Sequence, residues 1–254
     1  MGELTALTWA LLATGAVIVG LSKSAIPGAA TVSVAIFAAV LPARSSTATL
    51  LVLLIVGDVF ALLMYRRHAD VRTLLRLAPA VIAGMAAGAV FLALADDVAV
   101  RRVIGGLLLG LVALTLWLRW HHTARTRSSG SAADRAADRV ALVGYGSLGG
   151  FTTMVANAGG PVMSLYFLAA RFDPKTFLGT AAWFFAIVNV AKLPFALGAG
   201  LLTPQTLLID VWLVPGVVAG ALIGRAVIAR IDRRAFEWIV LAITAATAIY
   251  LVVG

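Results

Sequence analysis

Apolar residues run along this chain in ten stretches, near residues 6–21, 26–41, 47–65, 73–95, 98–117, 140–156, 161–170, 176–197, 206–228 and 236–253, with polar residues mostly at the joints. Six stretches are about 18–23 residues long, enough to cross roughly 30 Å of hydrocarbon as helices. The other four, about 10–17 residues each, form two pairs. Each pair is split by a Gly/Pro break, Ser22-Lys-Ser-Ala-Ile-Pro27-Gly28 in one and Asn157-Ala-Gly-Gly160-Pro161 in the other. Such arms fit re-entrant or bent helices, tolerated at depth only where protein or a water-filled cavity covers their backbone.

The pattern repeats. Pro79-Ala-Val-Ile-Ala-Gly84-Met-Ala-Ala-Gly88 and Pro215-Gly-Val-Val-Ala-Gly220-Ala-Leu-Ile-Gly224 share Pro, Val, Ala and two glycines at identical spacing, and a break lies upstream of each. A duplicated membrane unit with paired helix breaks is the sequence sign of a carrier whose binding site sits at the breaks. The expected organisation is a membrane repeat over 1–118, a basic linker over 119–139 and a second repeat over 140–254.

Composition agrees with a bilayer. The chain is 62% hydrophobic and 12% charged, roughly half the charge of a soluble domain. Cysteine is absent, which excludes disulfides, thiolate metal sites and cysteine nucleophiles. Glu3 is the only charge ahead of the first apolar run, an argument against a cleaved signal peptide. The net charge of +9 raises nucleic acid as a partner, but the arginines cluster in short connectors, so topology accounts for them and no nucleic acid is expected.

Loop charge also chooses between a bent span and a hairpin. Segments 66–76, 119–139 and 230–234 are basic, whereas 198–205 has no charge. Counting each broken pair as one crossing puts the uncharged loop inside and the 230–234 loop outside, against the positive-inside rule. Counting each pair as a hairpin that returns to its own side places every basic loop in the cytoplasm. Each repeat then has three crossings, an odd number, so the two are inverted and both termini lie outside. The expected fold is an all-α polytopic membrane protein of two inverted repeats, each a broken, re-entrant hairpin plus three transmembrane helices. A homo-oligomer is compatible with this fold.

The breaks suit an anion. Proline favours the first position of a helix, so Pro27 and Pro161 are expected to start the return arms and to set two helix N-termini near the midplane. Their free N–H groups and partial positive charge are an anion cradle, and Gly28, Gly159 and Gly160 allow close approach. The alternative is a pair of tight turns between packed helices.

Aligning the breaks on their prolines sets Lys23 opposite Asn157, and the third segments set Asp58 opposite Asn189, with Lys192 one turn further on. An ionisable group at depth has to be paired, face a cavity or serve function. Lys23 either contacts an anion, pairs with Asp58 or snorkels, and Lys192 has the same choices. Asp58 is either a proton carrier, the coupling candidate, or a fixed counter-ion, and it reads as the only carboxylate inside an apolar stretch. Asp210, Arg225 and Glu237 sit near segment ends and read as interfacial. Trp9, Trp117, Trp212 and Trp238 read as belt residues, while Trp183 either walls a site or packs.

The strings Gly20-Leu-Ser-Lys-Ser-Ala-Ile-Pro-Gly28, Gly57-Asp58 with Tyr65-Arg-Arg-His68, Asn157-Ala-Gly-Gly-Pro161, and Gly179-Thr-Ala-Ala-Trp183 with Asn189 and Lys192-Leu-Pro194 resemble the TauE/SafE family of sulfite exporters, also called 4-toluene sulfonate uptake permeases. The resemblance covers nearly the whole chain. It implies a secondary carrier of small sulfur-containing anions, sulfite or sulfonates among them, with no cofactor and with protons as a candidate coupling ion. Carried over are Lys23, Pro27, Gly28, Asn157, Gly159, Gly160, Pro161, Trp183, Asn189 and Lys192 toward substrate, with Asp58 toward coupling.

A carrier, an anion channel of the same architecture and an intramembrane enzyme are the three function classes to weigh. No G-x-x-x-x-G-K-[ST] loop is present, so nucleotide-driven transport is not indicated. His68, His121 and His122 all fall in loops and no two acids share a segment core, which speaks against catalysis at depth.

Overall fold

A computed structural model describes residues 5–24, 29–120, 132–170, 172–227 and scattered positions between 238 and 253. Among the described residues there is no strand. Nine helices follow in order: α1 (Ala6–Ser24), α2 (Ala30–Val40), α3 (Ala43–Tyr65), α4 (Val71–Leu94), α5 (Asp97–Trp120), α6 (Ala132–Ala156), α7 (Gly159–Ala169), α8 (Pro174–Gly198) and α9 (Pro204–Val227). Five helical spans are long and apolar enough to cross a membrane, on α1, α3, α4, α8 and α9. Pro27, Gly28 and most of the linker lie outside the described residues.

Polar side chains fix where helices begin. Asp70 caps α4, accepting from the Thr73 N–H at 3.1 Å and its hydroxyl at 2.7 Å. Asp173 caps α8 in the same way through Thr176, with Pro174 in the first turn. Both caps satisfy donors that the first turn of a helix leaves free.

The arms at the breaks differ from expectation. Only the second arms, α2 and α7, are short, at 11 residues each, whereas α1 has 19 and α6 has 25. In α1 the polar triplet 22–24 stays helical because the Ser22 and Ser24 hydroxyls bond back to the carbonyls of Val19 and Gly20. Helix α6 starts at Ala132, inside the segment read as linker, where alanine favours helix.

Each second arm doubles back on its first. The Ser33 hydroxyl donates to the Gly15 carbonyl at 2.8 Å and Phe37 packs on Gly15, so α2 runs antiparallel to α1. In the other half Met163 packs on Gly149 and Gly159 lies against Thr153. The break between α6 and α7 is therefore a hairpin turn, while residues 25–28 of the other break lie outside the described residues.

The halves exchange helices. A Cβ at Gly84 on α4 would overlap the Ser147 carbonyl of α6, and one at Gly220 on α9 would overlap the Val17 carbonyl of α1. Reciprocally, Gly150 abuts the Val81 carbonyl and Gly20 the Val217 carbonyl. The two proline frames thus make equivalent close backbone contacts, the use expected of small-xxx-small pairs. Between these pairs α3 and α8 run antiparallel, with Tyr65 and His68 beside Gly179 at one level and Asp58 beside Asn189 at another.

Candidate functional site

Polar side chains converge where α1, α3 and α8 meet the turn between α6 and α7. The Lys23 ammonium lies 2.5 Å from Asp58 Oδ1, and Asn189 Nδ2 donates to Oδ2 at 2.6 Å. Lys23 also stands 4.7 Å from the centre of the Phe185 ring, within cation–π range. Both carboxylate oxygens of Asp58 are thus engaged, which supports the counter-ion alternative.

Lys192 is placed differently. It is 2% exposed, and its Nζ donates to Asn157 Oδ1 at 2.6 Å, to the Thr153 carbonyl at 2.9 Å and to Thr153 Oγ1 at 3.2 Å. Three acceptors match the three donors of an ammonium, but all are neutral. Among the described residues Lys23–Asp58 is the one ion pair, so Lys192 has hydrogen bonds without a counter-charge.

Asn157 holds the turn. Its φ of 52° is left-handed, a conformation asparagine tolerates at a helix C-terminus. Its Nδ2 donates to the Thr47 carbonyl at 2.8 Å on α3 while its oxygen receives Lys192. One side chain therefore links the break to both central helices.

Two cavities meet here. The larger, about 320 Å³, is lined by Asn157 and Lys192 at its polar end and by apolar residues including Leu51, Leu92, Met154 and Phe195. The smaller, about 60 Å³, is lined by Lys23, Asp58, Asn189, Thr153 and Gly160. Asn157 borders both.

Of the residues singled out from sequence, Lys23, Asp58, Asn157, Asn189 and Lys192 come together, and Gly160 lines the smaller cavity. Gly159, not Pro161, begins the return arm, and Pro161 is its third residue. That place still suits proline, because first-turn N–H groups have no intrahelical acceptor. Trp183 turns outward, 37% exposed, with its indole N–H on the Arg66 carbonyl at 3.2 Å, and it lines neither cavity.

The proline alignment is off by one turn. Val81 and Val217 hold the same place in the repeated frame, and they face Gly150 and Gly20. That register sets Thr153, not Asn157, opposite Lys23. Helix α6 runs one turn further before its break, and Thr153 and Asn157, four apart on one face, both reach Lys192. Thr153 and the Thr47 carbonyl escaped the sequence reading because neither carries charge. Asp210, expected to snorkel or sit at the interface, is 2% exposed, buried in protein rather than open on the surface.

An all-α chain of apolar helices with lysines set among buried polar groups beside a helix break defines the class of a polytopic membrane protein. A family model for sulfite exporter TauE/SafE matches residues 12–251. The chain belongs to that family, which makes it a membrane transporter of the sulfur-anion class. Searches of curated proteins and of solved structures found no match.

Proposed function

We propose that the chain is a secondary carrier of the cell membrane that binds a small sulfur oxyanion, such as sulfite or a sulfonate, against Lys192 and the N-terminus of α7. The observation that carries this reading is Lys192, a buried lysine with three neutral acceptors and no carboxylate, at the polar end of a cavity of about 320 Å³. An anion supplies the charge that the protein withholds, in a setting where an uncompensated cation is costly. The Gly159, Gly160 and Val162 N–H groups at the start of α7 add donors of the kind that hold oxyanions. The antiparallel run of α3 and α8 supports inverted repeats, and with them alternating access around the Asn157–Lys192 contact.

Reconstituted full-length protein tests the reading. Sulfite flux is expected to saturate and to accelerate when sulfite is present on the opposite face. Lys192→Met is expected to weaken sulfite binding at least tenfold, about 1.4 kcal/mol, while folding is kept. Unchanged sulfite affinity in folded Lys192→Met removes that lysine from the site. Flux that neither saturates nor responds to sulfite on the opposite face makes the protein a channel.

A further inference from the structure

Asp210 on α9 is 2% exposed, and neither of its carboxylate oxygens has a hydrogen-bond partner among the described residues. Its neighbours Ile209 and Leu213 both belong to the main apolar cluster. An ionised carboxylate offers about four acceptor sites and is among the costliest groups to bury without compensation. On α3, which packs against α9, Thr49 is also fully buried with its hydroxyl unpartnered. Thr49 and Asp210 thus each keep a buried oxygen without a protein partner among the described residues, on two helices that touch.

Among the described residues no cation of the protein bonds Asp210. The charged residues of α9 and of the two helices packed most extensively on it are Lys23 on α1, Arg44 and Asp58 on α3, and Arg225 on α9. Lys23 and Asp58 bond each other. Helices α1 and α9 run parallel with Gly20 opposite Val217, so that pair lies roughly 15 Å or more from Asp210 along the bundle. No group of three His or acidic residues able to hold a metal ion occurs among the described residues, and one carboxylate cancels one charge.

We propose that Asp210 holds a small monovalent cation, a proton or a sodium ion, at a site separate from the Lys192 cluster. Helix α9 lies along α1 and α3, which carry Lys23, Asp58 and Thr47. Filling and emptying the site changes the charge beside the helices that frame the anion cluster. A cation gradient thereby gains a point of action that Asp58, committed to Lys23 and Asn189, does not offer.

The test uses full-length protein in detergent with gluconate as the only anion, so that it is independent of anion binding at Lys192. Thermal midpoints of wild type and Asp210→Asn are compared from about pH 5.5 to about pH 8.5, in N-methylglucamine or sodium at equal ionic strength. If the occupant is a proton, wild type loses stability relative to Asp210→Asn as pH rises. If it is sodium, wild type at high pH gains stability on addition of sodium and the variant does not. Parallel curves for the two proteins in both salts overturn the proposal. Should Asp210→Asn fail to fold, wild type is labelled with dicyclohexylcarbodiimide and the modified peptide is read by mass. Label at Asp210 that declines with rising pH or with sodium supports the site, and absent or insensitive label overturns it. A negative result here leaves the Lys192 reading standing, and unchanged sulfite affinity in Lys192→Met leaves this one standing.

Discussion

Asn157 Oδ1 receives the Lys192 ammonium at 2.6 Å where the larger cavity gives way to the smaller. The same asparagine holds Thr47 through its nitrogen, so a side chain that borders both cavities and touches Lys192 is tied to α3 and α8 together. Asn157→Asp places a carboxylate where the anion is proposed to bind. Sulfite affinity is expected to fall at least tenfold because the lysine gains an internal counter-charge, while the protein still melts cooperatively although the Thr47 carbonyl loses its donor. Isothermal titration beside a melting curve checks both halves, and undiminished sulfite affinity contradicts the proposed site.

The Lys23–Asp58 pair differs from Lys192 in being closed on itself. Removing one partner strands a buried charge and is expected to cost up to about 3–5 kcal/mol, whereas removing both costs much less than the sum. Lys23→Met, Asp58→Leu and the double variant, melted side by side, give the coupling. Additive losses would show that the two charges do not depend on each other, against their 2.5 Å separation.

Helix packing between the halves makes a sharper contrast. Gly84 and Gly220 face backbone carbonyls that cannot move aside, while Gly106 and Gly110 on α5 have nothing within 4 Å of a built Cβ. Gly220→Ala is expected to lose about 1–3 kcal/mol by overpacking. Gly106→Ala is expected to be neutral or to gain up to about 1 kcal/mol from helix propensity. Equal melting temperatures for the two variants would mean that α1 and α9 are not in close backbone contact.

Asp70 gives a dependence on pH outside the membrane spans. The Thr73 hydroxyl above all, aided by the Thr73 and Arg72 N–H groups, holds its carboxyl below the ordinary value of 3.8 although burial pushes the other way. A lowered value in the folded state means that the ionised cap stabilises above about pH 4, and that this is lost as pH falls through the folded value. Asp70→Ala is expected to cost about 1 kcal/mol at neutral pH, with the gap to wild type closing below pH 3.8. A gap that stays constant down to pH 3 would assign the loss to something other than the ionised cap.

The break before Pro161, the close contacts of the glycine frames and the apolar spans on α3, α4, α8 and α9 were legible because length, glycine and proline speak directly to membrane helices. Convergence of Lys23, Asp58, Asn189 and Lys192 was legible too, since charge at depth has few fates. Thr153 was not, because its part depends on how many turns α6 completes before its break, which the proline alignment misjudged. Asp210 was misread because its distance from the start of an apolar run says little about depth. Six residues into α9 it is 2% exposed, and only packing reveals that.

Topology is the remaining inference from loop charge. The packing of each short arm on its predecessor, Ser33 on Gly15 and Met163 on Gly149, supports returning each arm to its own side, which places every basic connector in the cytoplasm. Because the chain has no cysteine, single-cysteine reporters need no prior engineering. Ala199 suits the uncharged loop, being exposed and right-handed at the end of α8, whereas Gly200 at φ 65° would be strained by a side chain. Ser129 reports on the basic linker. With an impermeant thiol reagent on intact cells, Ala199→Cys is expected to label and Ser129→Cys to label only after lysis. The reverse pattern would turn the whole molecule over, and labelling of both from outside would put the two loops on one face, which an odd number of crossings between them forbids.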